Sequence, residues 1–332
     1  MPDDLDERTI DTIVIGGSAG AFPALGQLLE TLPPGLPAQI LAVLHTGPGG
    51  SVHTAKAFGR RSAIPVATAE DGMALRHGTV LLAPPDAHLF LGDAHVHCRR
   101  GPRENGFRPA IDPLFRSAAV YAGPRAVAVV LSGMLDDGAA GARAVARAGG
   151  RVLVQDPGEA DFADMPRAAL AMSEGRGEAL SLSELAQRIA RLAGTPAGAP
   201  TPVPAEIALE MKIATLEEAS MSNAQTLGTL APFNCPHCNG VLWAIEDGAM
   251  TRYRCHTGHA YTSAALAASQ DEALERSLFD ALRAHRGRAE LIRRMAEEAG
   301  EGAHRERLHE RARSFDEDGD LLERLISART SS

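Results

Sequence analysis

The chain has 332 residues, enough for one large domain and a smaller one, and its 45% hydrophobic and 23% charged residues are typical of a globular protein. Its net charge of −9 argues against nucleic acid as the main partner, because phosphate contacts need clustered Lys and Arg. The acidic N-terminus lacks the apolar core of a secretory signal, and no apolar run approaches the roughly 18 residues of a membrane span. We therefore expect a cytoplasmic protein with no direct membrane insertion.

Residues 12 to about 190 alternate between aliphatic runs and amphipathic or alanine-rich segments. Four runs that end in turn or polar residues predict buried parallel strands at 12–17, 38–45, 126–133 and 151–156. Helices are predicted between them. The rhythm of residues 78–98 instead predicts an antiparallel hairpin or meander at the edge of the sheet. The predicted fold class is α/β, with a doubly wound, mainly parallel sheet and an inserted antiparallel hairpin.

The C-terminal part of the chain follows different patterns. Dense glycine and proline at 194–204 predict a linker. A helical stretch at 205–219 and a cysteine cluster then form a predicted zinc-ribbon-like module over 205–262. From 263 to 330, apolar residues recur at three- and four-residue steps around a glycine-containing break, which predicts a helical hairpin with one apolar face.

The sequence GGSAG joins the first predicted strand to the first helix. Its glycine spacing does not match the dinucleotide fingerprint, and it lacks the lysine of a P-loop. Ser18 in this turn is a candidate nucleophile, which needs a base and a group that orients the base. His45 ends the second predicted strand, and Asp136 and Asp137 follow the third. Because parallel strands bring their carboxyl ends to one edge of a sheet, we expect these side chains to converge there. The alternatives are that Ser18 only caps the helix, or that the helix amides alone form a phosphate site.

Six segments, taken together and in order, resemble the catalytic domain of CheB-type chemotaxis protein-glutamate methylesterases: IGGSAGA, VLH, APPDAHLFL, FRPAIDPLFRSAA, VVLSGMLDDGAAGA and VQDPGEADFADMPRAALA. The resemblance assigns residues 10–193 to this domain. It implies an ester hydrolase that acts on glutamate methyl esters of a methylated chemoreceptor-like protein, without a cofactor for catalysis. Many members also deamidate receptor glutamines.

Matched by position, the resemblance makes Ser18 the nucleophile, His45 the base and Asp137 the acid, with Asp136 as the fallback. Typical members begin with a phosphorylatable receiver domain, whereas only about ten residues precede the first predicted strand here. We therefore expect no control by phosphorylation in cis, and a regulatory, docking or unrelated role for the C-terminal module.

The resemblance also implies secondary site residues. The backbone N–H of Ala19 and the main chain of Met134 would bind the oxyanion. Arg108 and Asp112 match a loop beside the site, where they either serve the substrate or pair with each other. Ala19 replaces the usual threonine, and Leu135 replaces a glycine beside the acid. These departures leave an alternative open: a signalling or scaffold protein with weakened catalysis that binds partners through the zinc module and the helical tail.

The cysteine cluster has the spacing of a zinc ribbon. Its predicted ligands are Cys235, Cys238, Cys255 and His259. Four such ligands would close a tetrahedral structural zinc site and leave no open position for catalysis. His237 and His256 are alternative fourth ligands, but Gly258 favours His259 because glycine lets the backbone turn that side chain inward.

Overall fold

The computed structural model describes residues 8–45, 50–199, 201–215 and 226–329. Up to residue 199 its strands are β1 (Thr12–Gly17), β2 (Gln39–Leu44), β3 (Val66–Thr68), β4 (Val80–Leu82), β5 (His88–Leu91), β6 (Val96–Arg99), β7 (Ala126–Val130), β8 (Arg151–Gln155) and β9 (Gly177–Leu180). Within the described ranges, seven of these strands pair in parallel in the order β3-β4-β2-β1-β7-β8-β9. The predicted α/β class with a mainly parallel sheet is confirmed.

Helices cover both faces of this sheet. They are α1 (Ala21–Thr31), α2 (Gly50–Gly59), α3 (Ile111–Tyr121), α4 (Ala139–Arg147), α5 (Asp164–Met172) and α6 (Leu182–Leu192). Alternate residues of β1 enter two separate cores, with Ile13 and Ile15 packed in the core of α1 and α6, and Val14 in the core of α3 and α4. Every residue of β1 and β2 is buried, as expected for strands covered on both faces.

The predicted hairpin is present, but it is smaller than the pattern indicated. β5 and β6 pair antiparallel as a separate two-stranded sheet. β4, which belongs to the same stretch of sequence, instead lies in the main sheet between β2 and β3. The sequence patterns did not identify β3 and β9, since both are short and only partly buried.

The next segments begin with α7 (Ala205–Ala214), and residues 216–219 of the predicted helix lie outside the described ranges. Four antiparallel strands follow and form the C-terminal sheet: β10 (Thr229–Asn234), β11 (Val241–Asp247), β12 (Met250–Cys255) and β13 (Ala260–Thr262). The chain up to Leu266 forms one compact unit. Both sides of the predicted linker at 194–204 belong to this unit, and the division of the chain into domains at that linker stays a prediction.

The second compact unit begins at Ala267 and contains most of α8 (Ser263–Glu298) and all of α9 (Ala303–Arg329). The predicted helical hairpin is present. Its buried core is small and rich in alanine: Ile292, Ala296, Leu308 and Ala312. Several predicted apolar positions are instead about half exposed, namely Leu274, Phe279, Met295 and Leu325. None of the described helices combines the length and apolar character that crossing a membrane requires.

Candidate active site

Ser18, His45 and Asp137 lie at the carboxyl ends of three adjacent strands. Ser18 directly follows β1, His45 directly follows β2, and Asp137 lies in the loop after β7. Since β1 is paired with both β2 and β7, the three side chains meet at one edge. His45 Nδ1 lies 3.2 Å from Ser18 Oγ, and His45 Nε2 lies 2.8 Å from Asp137 Oδ2.

The geometry fixes the roles of the two ring nitrogens of His45. An ionised Asp137 can only accept a hydrogen bond, so Nε2 must carry the proton that it donates to Asp137 Oδ2. Nδ1 is then left with a lone pair that faces the Ser18 hydroxyl. The imidazole is 4% exposed and stacks on Phe107, with ring centroids 3.7 Å apart and planes 9° from parallel. The arrangement can take the Ser18 proton at Nδ1 while Asp137 stabilises the resulting imidazolium.

Asp137 is buried and held by several donors. Besides His45, it accepts hydrogen bonds from the main-chain N–H groups of Ile111 at 2.8 Å and Asp112 at 3.3 Å, and from the Asn105 side chain at 2.9 Å. Burial alone would raise the pKa of Asp137, but the hydrogen bond and charge of His45, with the N–H donors, hold it below its usual value. Asp137 is therefore ionised at neutral pH.

Asp112 is a second buried carboxyl group in the same place. Its oxygens accept from the Gly141 N–H at 2.7 Å and from Asn105 Nδ2 at 3.0 Å. Burial, together with the negative charge of Asp137, raises the pKa of Asp112 to about 7. The pKa values of two adjacent carboxyl groups are thus shifted in opposite directions, and the group with the lowered pKa is the partner of His45.

The glycines around Ser18 serve close packing. A Cβ on Gly16 would lie 2.3 Å from Ile111 Cγ2, so glycine is needed where α3 approaches β1. Gly20 has φ +74° and begins α1 as its N-cap, a backbone conformation that glycine adopts without strain. Ser132 ties this turn to its neighbours: its carbonyl accepts from the Ser18 N–H, and its hydroxyl donates to the Ala19 carbonyl.

The structure brings Asp137, and not Asp136, to His45. Asp136 Oδ1 accepts a hydrogen bond from Thr262 Oγ1 at 2.6 Å. Met134, whose main chain the resemblance assigns to oxyanion binding, is 55% exposed and follows Gly133, which lies against Ser18. Leu135 has φ +60°, which explains why a glycine would be favoured at this position.

The pairing of Arg108 with Asp112 that the sequence left open is not found. Arg108 Nη2 lies 2.6 Å from Asp86 Oδ1, and its Nη1 donates to the Gly101 carbonyl at 2.8 Å. The Arg108 side chain is 19% exposed, and these two partners hold its guanidinium in place. A substrate role for Arg108 stays a prediction.

Sequence reasoning did not assign roles to Asn105 and Phe107, which both support the site. They lie in the turn between Glu104 and Phe107, whose Asn-Gly dipeptide has φ +51° and +83°. Asn-Gly is a strong signal for such a turn. The signal predicts the turn but does not indicate which side chains it directs toward Asp137.

The predicted metal ligands cluster together in the C-terminal sheet and its turns. The potential donor atoms of Cys235, Cys238, Cys255 and His259 all lie within 4.8 Å of one another. Cys238 Sγ and Cys255 Sγ are 3.7 Å apart, close to the ~3.8 Å expected between two thiolates on a tetrahedral zinc with Zn–S bonds of about 2.3 Å. The donor set and its spacing fit a closed site for a metal such as zinc.

The alternative fourth ligands lie beside this cluster. His237 Nδ1 is 2.8 Å from the Tyr261 hydroxyl, and the His256 ring lies against Gly240. Gly258 has φ +97° in the turn that precedes His259. Trp243 nearby is 4% exposed and packs within the sheet. The geometry therefore favours His259 as the fourth ligand.

Known protein-glutamate methylesterase/protein-glutamine glutaminases are similar in sequence to about half of this chain. A protein-glutamate methylesterase/protein-glutamine glutaminase from Yersinia pestis is 39% identical over 181 residues, covering 53% of this chain and 51% of the relative. A similar enzyme from Methanosarcina mazei is 37% identical over 164 residues, covering 47% of this chain and 45% of the relative. The chain thus spans about half the length of the curated relatives it matches.

A solved structure and a family model complete the comparison. The crystal structure of the Thermotoga maritima CheB methylesterase catalytic domain matches with a TM-score of 0.54 and 30% identity, over 56% of this chain and all of that one. The model of the CheB methylesterase family matches residues 13–189, more than half of the 332 residues. The chain belongs to the CheB methylesterase family.

Proposed function

We propose that this protein is a serine hydrolase that demethylates glutamate methyl esters on a chemoreceptor-like protein. The single observation that carries the proposal is the chain of contacts from Ser18 Oγ through the His45 ring to Asp137 Oδ2, with distances of 3.2 and 2.8 Å. The relatives named protein-glutamate methylesterase/protein-glutamine glutaminase support the choice of substrate. Deamidation of glutamine at the same site is part of the proposal.

In the proposed reaction, Nδ1 of His45 carries out the proton transfers while Nε2 stays hydrogen-bonded to Asp137. Ser18 Oγ attacks the ester carbonyl carbon and gives its proton to Nδ1, while the carbonyl oxygen becomes an oxyanion near the N–H groups of Ala19 and Met134. The carbon–methoxy bond then breaks, and His45 returns the proton to the leaving methanol. Water attacks the acyl carbon and gives one proton to His45 Nδ1. The carbon–Oγ bond then breaks, His45 returns that proton to Ser18 Oγ, and the glutamate carboxyl group is released. With glutamine, ammonia leaves in place of methanol.

The test combines substrate turnover with covalent labelling. Ser18→Ala should abolish methanol release from a methylated receptor and also labelling by a serine-directed fluorophosphonate. Ser183→Ala, which removes an exposed hydroxyl on α6, is the matched control and should leave both unchanged. Full methanol release by the Ser18 variant would refute the assignment. A folded wild-type protein that never labels would favour the scaffold alternative.

We propose further that Cys235, Cys238, Cys255 and His259 hold a structural zinc ion. Such a metal would tie the turn after β10 to the turn after β12 and supply no chemistry to the ester. Metal analysis of purified protein should find zinc at about one ion per chain, and its absence would remove this proposal. Clustered thiols persist in a reducing compartment, so a cytoplasmic location belongs to the same proposal.

The partners are also proposed. The exposed apolar side chains along α8 and α9 support a role for the helical hairpin in binding a signalling partner. The methylated receptor would approach the exposed side chain of Met134 beside Ser18.

A further inference from the structure

The side chain of Asn105 connects the candidate triad to the C-terminal sheet, which carries the proposed metal ligands. Asn105 Nδ2 donates to Asp137 Oδ1 at 2.9 Å and to Asp112 Oδ2 at 3.0 Å. Its Oδ1 accepts from the main-chain N–H of Thr262 at 2.9 Å, and its own N–H donates to the Ala260 carbonyl at 2.8 Å. Asn105 is only 6% exposed, and these bonds use its buried polar atoms.

The partners of Asn105 on the far side belong to β13. Thr262 also donates through Oγ1 to Asp136 and accepts from the Ala265 N–H at the start of α8. β13 pairs with β12; the candidate metal ligand Cys255 ends β12, and His259 lies in the turn between the two strands. The position of the Asn105 amide is therefore determined by the C-terminal sheet and not only by its own loop.

A second set of buried contacts fixes the same interface. Arg254 of β12 donates to Glu104, the residue before Asn105, at 3.1 Å. Arg254 also donates to the Gly258 carbonyl at 2.9 Å, in the turn that carries His259. Glu104 and Arg254 are each about 1% exposed, so neither charge is screened by water.

The amide of Asn105 lies between two buried carboxyl groups and donates to both. Its two N–H groups can serve Asp112 and the ionised Asp137 at once, whereas a carboxylate in that place could serve neither. Without these donors, Asp137 loses one of its hydrogen bonds and faces Asp112 directly. The orientation and charge of Asp137, on which the His45 proton depends, would change.

We propose that Asn105 is a positioning residue for Asp137, and that β13 of the C-terminal sheet holds the Asn105 side chain in place through the Thr262 N–H. The C-terminal module is thereby part of the support of the active site. This inference rests on the proposed esterase function. It adds a requirement that residues 10–193 alone would not meet, namely the hydrogen bond from Thr262 to Asn105.

The test replaces Asn105 in the full chain and measures the rate at which fluorophosphonate labels Ser18. Asn105→Asp keeps the size, the tolerance for a left-handed backbone and the acceptor for Thr262, but it removes the donor to Asp137. Labelling should slow at least about tenfold, and the downfield NMR resonance of the His45 Nε2 proton should shift or disappear. Methylated receptor should show a lower kcat with little change in KM. Gln187→Glu, the same change at an exposed site on α6, should match wild type.

The outcomes separate the two proposals. If wild type does not label at Ser18, the esterase function fails. If wild type labels and Asn105→Asp labels within twofold of it with an unchanged His45 resonance, the positioning role is overturned while the esterase function stands. If Asn105→Asp does not fold, Asn105→Gly repeats the test, because it keeps the φ of +51° accessible and removes the amide.

A second experiment tests whether the C-terminal sheet supports the triad. The wild-type chain is loaded with zinc and then stripped by a chelator, and the metal content of each sample is measured. We expect slower labelling and an altered His45 resonance in the stripped protein, with both restored on adding zinc. Equal labelling and identical spectra for the two samples would overturn the coupling between the module and the triad.

Discussion

Replacement of Glu210 by glutamine should strongly destabilise the first compact unit, which contains the parallel sheet and the sheet of β10–β13. Glu210 lies on α7 with no exposed surface, and its carboxylate accepts two hydrogen bonds of 2.6 Å from Arg252. It also accepts one of 3.0 Å from Arg254 and lies 4.0 Å from Arg116. The amide in Glu210→Gln keeps the shape but removes the charge that balances these guanidinium groups.

The expected magnitude follows from burial. The three arginines are each less than 9% exposed, so water cannot replace the lost carboxylate. Removing one partner from a buried ion pair typically costs about 3–5 kcal/mol. Total domain stabilities are about 5–15 kcal/mol, so the variant should lose a large fraction of its free energy of unfolding.

Chemical denaturation followed by tryptophan fluorescence measures this loss. The chain has one tryptophan, Trp243, which is buried in the C-terminal sheet and reports the unfolding of that sheet. Glu206→Gln is the matched control, because Glu206 lies one turn earlier on α7 and pairs with Arg147 at the surface. It should cost less than about 1 kcal/mol. Equal midpoints for the two variants would contradict the buried-network reasoning.

The same comparison has a defined pH dependence. Burial alone would raise the pKa of Glu210, but the charges of Arg252 and Arg254 and the Arg252 hydrogen bonds hold it well below its ordinary value of 4.5. Its stabilising contribution is therefore complete above that value and is lost as the pH falls through the lowered folded pKa. The stability difference between wild type and Glu210→Gln should be constant from about pH 6 to 8 and shrink below about pH 4. A difference that grows on acidification would show that the sign is wrong.

Three further predictions concern the site and the metal. Leu135→Gly should change the free energy of unfolding by less than about 1 kcal/mol in denaturation experiments, because relief of the strained φ of +60° offsets the added chain entropy; a loss of several kcal/mol would contradict this. Phe107→Leu should lower kcat about two- to tenfold in methanol-release assays, since the ring stacked on His45 is lost; unchanged kcat would deny the ring a role. Chelation should unfold the 233–260 segment, seen by Trp243 fluorescence, while circular dichroism retains the signal of the parallel sheet; an unchanged fluorescence spectrum after verified metal loss would contradict it.

The position of the candidate triad could be predicted because it depends on short-range patterns. Ser18 and His45 directly follow fully buried aliphatic runs, and such runs identify strands covered on both faces. Parallel strands then place their carboxyl ends at one edge, whatever the details of the loops. The choice between Asp136 and Asp137 was different, because adjacent residues point in different directions and only the conformation of the loop after β7 decides it.

The short strands and the supporting residues could not be predicted for physical reasons. β3 is formed by three residues that are only partly buried, and no aliphatic run marks it. The bond from Thr262 to Asn105 joins residues 157 positions apart, and no local pattern reports such a contact. The exposed leucines of the helical hairpin have helical spacing, but spacing alone does not specify which face a partner helix covers.

The buried contacts change how the C-terminal extension is to be understood. The proline- and glycine-rich segment after α6 predicts a tether, yet its first residues pair with the N-terminus: the Ile10 N–H donates to the Thr195 carbonyl and the Ala197 N–H to the Arg8 carbonyl. Beyond it, Arg116 of α3 and Arg254 of β12 each pair with both Glu104 and Glu210. Buried charges of this kind are tolerated only while every partner stays in place. A change at the metal ligands that shifted β12 and β13 would therefore act on Glu104 and Asn105 together, and through Asn105 on Asp137.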